Sequence, residues 1–233
     1  MKIKKSLFSE FVKESALSGD HALREVKLDF GEKGLTMTSI TEGNAILIKA
    51  QIPSSSFEDY ASFGKIAILN YTELSKIIST LNEDITIQKE GNILILKGGR
   101  KVEIPLADET VIKDISKIPQ LSYVNSFNVN DKFFTDINSN LSFSLNKSDS
   151  ATVEFTGKNK LLTVKYGTKY KFEDTISSDG IIEEVEVKFG QALLNAVANL
   201  TGDIQVEIKT KYPITIIKKS DMYAIKIIVA PKI

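Results

Sequence analysis

At 233 residues the chain has room for one large domain or two small ones, and 42% hydrophobic residues with no tryptophan is the composition of a globular protein, not a disordered one. It has no cysteine, which excludes a disulfide framework and any cysteine-ligated zinc or iron–sulfur centre, and fits a reducing intracellular setting. Thirty Lys and Arg balance thirty Asp and Glu, so no whole-molecule field advertises a nucleic-acid partner and any basic surface must be local.

The opening Met1-Lys2-Ile3-Lys4-Lys5 has the charge of a signal peptide's start, but Ser9, Glu10 and Lys13 break the apolar run that would have to follow. No stretch is long enough to span a bilayer, so neither secretion nor a membrane partner is expected. Leu7, Phe8, Phe11, Val12 and Ala16 recur at helical spacing, predicting a first helix over 6–18 with Ser6 as its cap and Gly19 as its stop. Val26, Leu28 and Phe30 alternate with Glu25, Lys27 and Asp29 as one half-buried strand. After a turn at 31–34, Leu35, Met37 and Ser39 share a face of the second strand, and 45–52 form a third that ends at Pro53. A strand at Ile66 and Ile68, a helix over 71–81 and a strand at Ile85 and Ile87 follow. Ile93, Ile95, Val102 and Ile104 extend the sheet beyond a turn at 89–92. Pro105 has no N–H for a ladder, so its strand is expected at an edge.

Residues 107–122 have neither period, yet carry Val111, Ile112, Ile115, Ile118, Pro119 and Leu121. So long and apolar a connector is expected to lie on the surface of the folded halves and to serve a function. From Asn128 the pattern restarts. Phe133, Phe134, Ile137 and Leu141 stand 126 positions after Leu7, Phe8, Phe11 and Ser15. Leu193, Ala196, Val197, Leu200, Asp203, Ile204 and Val206 stand 119 after Leu74, Ile77, Ile78, Leu81, Asp84, Ile85 and Ile87. The second set, apolar on apolar and Asp on Asp in register, means two copies of one unit. Strands are predicted at 153–156, 161–166 and 170–176, then Val185 and Val187 lead into a helix over 191–200. Strands at 204–208, 214–217 and 223–229 precede the closing Ala230-Pro231-Lys232-Ile233. The expected fold class is α+β, with two similar helix-and-antiparallel-sheet domains at 1–107 and 123–233 joined by a connector at 108–122.

Catalytic chemistry finds little support. His21 is the only histidine and has neither a second histidine nor a cysteine with which to share a metal, so no metal centre, triad or cofactor is expected. Glu58-Asp59, Glu83-Asp84 and Glu183-Glu184 fall at turns and strand ends, where solvated carboxylates are ordinary. Gly98-Gly99-Arg100-Lys101 lacks the strand-to-helix setting of a phosphate loop and reads as a hairpin turn. An enzyme is not expected.

The twofold repeat, the apolar connector with Ile118-Pro119 and Tyr123, the helix over 74–81 followed by Asn82-Glu83-Asp84, and the terminal Ala-Pro-Lys-Ile together resemble DNA sliding clamps of the proliferating cell nuclear antigen family, of archaeal, viral or phage type. The resemblance covers nearly the whole chain. It implies the DNA clamp fold and a processivity factor: a non-enzymatic ring that encircles duplex DNA without reading its sequence, holds a DNA polymerase and other enzymes carrying clamp-binding peptides, and is opened by a clamp loader. Helices would line the hole and three identical subunits would close the ring. Lys4, Lys5, Lys13, Lys76 and Lys132 would face DNA, while the fourth helix departs from the family by offering only Gln191, Asn195 and Asn199. Ile40, Ala45, Leu47, Ile118, Pro119, Tyr123, Pro213, Ala230 and Pro231 would form the partner-peptide groove. Lys101, Val102, Glu103 and Ile104 would meet Lys169, Tyr170, Lys171 and Phe172 of the next subunit. One subunit of a heteromeric ring, or a duplicated β-rich structural or assembly protein without a DNA role, are the alternatives.

Overall fold

A computed structural model of the chain describes residues 1–115, 118–142 and 152–232. The first half runs β1 (Lys2–Ile3), α1 (Lys5–Ser15), β2 (Val26–Gly31), β3 (Gly34–Ile40), β4 (Ile46–Pro53), β5 (Phe57–Glu58), β6 (Gly64–Ile68), α2 (Tyr71–Ser79), β7 (Ile85–Glu90), β8 (Ile93–Lys97) and β9 (Lys101–Pro105). The second runs β10 (Asn125–Asn130), α3 (Asp131–Ser142), β11 (Val153–Lys158), β12 (Leu161–Tyr166), β13 (Phe172–Ser177), β14 (Val185–Phe189), α4 (Gln191–Val197), β15 (Asp203–Ile208), β16 (Ile214–Lys219) and β17 (Ala224–Val229). Apart from the short β5 the two orders coincide, so the fold is α+β with two similar units.

Several element ends differ from the sequence reading. Helix α1 begins one residue earlier, with Lys4 rather than Ser6 in the capping position and no side-chain cap, and it ends at Ser15 with Ala16 as its C-cap. Gly19 does not stop it but opens a short 3-10 turn that also holds His21. Helices α2 and α4 finish at Ser79 and Val197, and β13 starts at Phe172, not at Tyr170. The strands β1 and β10 ahead of α1 and α3 escaped the reading, because two residues show no period and four of the six residues of Asn125–Asn130 are amides or a hydroxyl. The connector carries a 3-10 turn at Glu109–Val111, capped by the Asp108 carboxylate accepting from Thr110 N at 2.8 Å. Ile233 of the closing motif lies outside the described residues.

All strand pairs are antiparallel. One sheet has the order β5-β1-β7-β8-β9, a second β13-β12-β11-β14, and the largest β10-β15-β16-β17-β4-β3-β2-β6. Each unit therefore contributes two four-strand blocks. Block β1-β7-β8-β9 repeats as β10-β15-β16-β17, and β6-β2-β3-β4 as β14-β11-β12-β13. The eight-stranded sheet arises because β17 of the second unit pairs with β4 of the first, Ala224 opposite Gln51 through Val229 opposite Ile46. Among the described residues, their counterparts β9 and β13 each have a partner on one side only.

Alternation along these strands decides what faces the helices. Leu28, Phe30, Ile48, Ile52, Ile225 and Ile227 join Phe8, Phe11, Leu74, Ile78, Leu193 and Val197 in a single buried cluster that also takes in Phe134 and Ile137 of α3. Burying each of these side chains contributes roughly 1.5–3 kcal/mol, which sets the helices on one side of the sheets. Leu47, Ala67 and Ile228 are also buried but stand outside that cluster, on the opposite face. The connector crosses that opposite face: Ala107 N donates to Ala67 O at 3.0 Å, Asp114 pairs with Lys27 at 3.0 Å and Lys65 at 3.7 Å, and Tyr123 reaches β16.

Candidate functional site

The face opposite the helices carries one mostly apolar cross-strand row that the connector flanks. Ile40 on β3 lies opposite Leu47 on β4, Leu47 opposite Ile228 on β17, and Ile228 opposite Thr215 on β16. Four strands at sheet spacing make the row about 14 Å long. At one end Thr215 Oγ1 donates to Tyr123 Oη at 2.9 Å, and that hydroxyl donates to the Pro213 carbonyl at 2.8 Å, so the connector is bolted to the floor. Tyr212 stacks edge-on against Tyr123 with ring centroids 5.7 Å apart. Burial pushes the Tyr123 hydroxyl up to about 12, so it remains a proton donor across the physiological range. At the other end Ile40 is 38% exposed, whereas Leu47 and Ile228 are at 6% and 5%.

The rim near the tail is held by Ala230 N donating to Ala45 O at 2.9 Å, with Pro231 half-buried beside it. Ile118 and Pro119 are exposed on the connector. The structure thus draws Ile40, Leu47, Ala45 and Ala230 together at one end and Tyr123 with Pro213 at the other. Ile228, Thr215 and Tyr212 were missed. The available signal was the unbroken apolar runs Ile46-Leu47-Ile48 and Ile227-Ile228-Val229, which require a cover on both faces of the sheet. The next row along is Thr38, Lys49, Lys226 and Ile217, with the two lysines opposite each other and in no ion pair among the described residues. Positive charge therefore flanks an apolar floor.

The helical side is polar and nearly neutral. Lys4, Lys13, Lys76 and Lys132 are exposed there. Lys5 instead donates from Nζ to the carbonyls of Ser79 and Leu81, where α2 ends and its dipole is negative. The four helices hold Lys5, Lys13, Lys76 and Lys132 against Glu10, Glu14, Glu73, Asp131 and Asp136, and α4 has no charge. Of the amides Gln191, Asn195 and Asn199 in and just after α4, only Gln191 is exposed. Asn199 Nδ2 donates to Leu17 O at 2.7 Å, and Asn195 packs so closely on Gly19 that a Cβ there would lie 2.9 Å from its Oδ1. Those amides clamp the second unit to the first.

A buried polar cluster was not foreseen. Glu14 is fully buried, and its carboxylate accepts from Lys218 Nζ at 2.5 Å, Tyr223 Oη at 2.8 Å and Thr201 N at 2.9 Å. Lys218 also reaches Glu10 at 3.1 Å. Burial works to raise the Glu10 carboxyl, but the Tyr223 hydroxyl and the Lys218 ammonium outweigh it and hold it below the usual carboxylate range. The Tyr223 hydroxyl is pushed up by burial and by both carboxylates. Every member has a partner, so the cluster is a structural tie between α1 and the second unit. Among the described residues no cluster of His, Asp and Glu can hold a metal ion, and no helix is long and apolar enough to cross a membrane.

Two units with helices on one face, a shared sheet on the other and a surface connector define the two-domain DNA-clamp fold. The chain superposes over 100% of its length on 98% of the proliferating cellular nuclear antigen of Entamoeba histolytica, with a TM-score of 0.83 at 17% identity. It does the same over 97% of the A. fulgidus protein of that name, solved with the C-terminal region of FEN-1 bound, with a TM-score of 0.82 at 17% identity. No protein-family model and no curated protein matches the sequence.

Proposed function

We propose that this chain is a DNA sliding clamp, a ring subunit that keeps a polymerase and other enzymes on duplex DNA by enclosure and has no catalytic activity of its own. One observation carries the reading: the joint made inside the chain by β17 and β4 has both of its counterparts, β9 and β13, as the terminal strands of their sheets, each with one free edge among the described residues. Repeating the internal joint between subunits is a heterologous contact, which closes into a ring when the rotation fits and removes both exposed edges. The units at 1–107 and 123–233, with 108–122 as connector, would then alternate around the ring. Three identical subunits are the proposed number.

The helical side would face the duplex. Lys4, Lys13, Lys76 and Lys132 are free to touch phosphates, with Lys5 adding charge from its capping position, and such contacts carry no base information. The near balance of charge on the helices favours topological retention over tight adhesion. The outer groove would take an extended peptide with apolar and aromatic plugs, as the flank of Tyr123 and Ile118 and the floor of Ile40, Leu47 and Ile228 suggest. A loader would be needed to open the ring.

The test is native mass followed by retention on DNA. Three times the chain mass of 25.8 kDa is expected in solution. After incubation with a clamp loader, the protein should stay on a nicked circular plasmid and leave once that plasmid is linearised. Equal loss from both forms would end the proposal.

A further inference from the structure

Where the two units join, the face opposite the helices sets Lys49 on β4 directly against Lys226 on β17. Side chains at such a rung start about 4.5–5.5 Å apart, and like charges placed there destabilise a sheet. The rung continues to Thr38 on one side and Ile217 on the other, so neither lateral neighbour supplies a carboxylate. Two residues along the strands the next row is Thr36, Gln51, Ala224 and Lys219, which adds a third cation and again no acid. Asp29 on β2 and Asp203 and Glu207 on β15 stand two strands from the pair, about 9.5 Å away or more. Lys49 is exposed and Lys226 half-buried, and among the described residues neither is in an ion pair.

This repulsive rung adjoins the apolar row. Lys49 is the diagonal neighbour of Ile40, and Lys226 that of Leu47, each about 7–8 Å off. Beyond Ile40 a cavity of about 670 Å³ opens where β3 ends, closed on the connector side by Val111, Ile112 and Ile115. Its own charges are mixed in sign, Asp20, Glu25 and Glu42 against Arg24 and Lys113. Charge selection therefore falls to the lysine rung.

Resting on the peptide-groove reading above, we infer that the segment docked on this face is acidic: an apolar or aromatic plug sits at Ile40 and the connector, and Asp or Glu side chains of the same segment lie over Lys49 and Lys226. Its carboxylates supply the counter-charge that the fold itself withholds, so binding relieves a repulsion built into the free protein. A basic flank would meet the same two cations and be rejected. Exposed ion pairs add little affinity one by one, which makes the rung a selector among partners and not an anchor. A nucleic-acid backbone would satisfy the lysines but leave Ile40 and Val111, 38% and 59% exposed, without cover. The occupant is therefore a peptide.

Two synthetic peptides sharing a core of one aliphatic and two aromatic residues, one flanked by Asp and the other by Lys, provide the test by fluorescence anisotropy. The acidic peptide should bind the intact chain roughly 10-fold more tightly, and the gap should narrow as salt is raised. Lys49→Glu with Lys226→Glu should reverse the order. Lys226→Glu alone converts the rung to opposite charges, so it should raise the urea midpoint while cancelling the preference, which separates charge selection from loss of fold. Equal affinities for the two peptides, or a preference that survives the reversal, overturn the acidic partner and leave the groove standing. Displacement of the acidic peptide by short duplex DNA assigns the lysines to nucleic acid and overturns it too. Binding of neither peptide overturns the groove itself.

Discussion

Lys218 on β16 sets its ammonium 2.5 Å from the carboxylate of Glu14 on α1, joining residues 204 positions apart across the boundary between the two units. With side chains only 8% and 1% exposed, neither charge has water to fall back on. Lys218→Met is expected to cost about 3–5 kcal/mol, because it strands a buried carboxylate, while Glu14→Leu with Lys218→Met should recover most of that loss. Urea unfolding of the three variants measures it. A double variant no better than the single would mean that the pair is not acting as a unit.

Alkaline pH should weaken the fold. Tyr71, Tyr123 and Tyr223 have hydroxyls raised from an ordinary value of 10.0, first of all by burial, with Tyr123 at about 12. Their contribution is complete below pH 10; above it the unfolded chain sheds protons that the folded chain keeps, so stability falls as pH rises. The slope approaches about 1.4 kcal/mol per pH unit for each such tyrosine. Urea midpoints compared at pH 9 and 11 should drop, and Tyr123→Phe should make the drop shallower.

The lysines of the helical side should separate by task. Lys5→Ala removes the cation from the end of α2 and is expected to cost about 0.3–1 kcal/mol of stability with little effect on DNA retention. Lys13→Glu with Lys76→Glu should abolish polymerase stimulation and leave native mass unchanged. Stimulation at the wild-type level would remove both lysines from DNA contact.

Retention on a closed circle should respond weakly to salt. With charges on the helices nearly balanced, few counterions are released, and the decline between roughly 50 and 200 mM salt should be shallow compared with that of a basic DNA-binding protein. A steep fall would point to many phosphate contacts from residues off the helices.

The groove should lose its ligand without loss of assembly. Ile118→Ala with Tyr123→Ala removes an exposed plug contact and the bolt to Thr215 and Pro213, and is expected to weaken binding of an apolar, aromatic peptide about 10- to 100-fold. Fluorescence anisotropy gives the affinity and native mass the control. An unaltered affinity would move the peptide site elsewhere.

The two-unit plan was written in local periodicity: apolar residues at helical or alternating spacing, and the offsets of 126 and 119 that repeat them. Those patterns survive in a sequence because each element must bury one face wherever it ends up. Pro105 even marked β9 as an edge, since a missing N–H is a property of the residue itself. Helix ends were less legible, because α1 takes Lys4 without a side-chain cap and packing decides where it frays.

Pairings between distant segments belong to the tertiary structure alone. Nothing around Lys218 names Glu14 as its partner, nothing in Leu47 announces Ile228, and the register that sets Ile225 against Ala50 exists only once β17 has crossed to β4. Local sequence encodes which face of an element is apolar, whereas the neighbour that covers it is chosen by the shape and free valence of the whole sheet. So residues fixed the halves, and the folded edge geometry decided how the halves join.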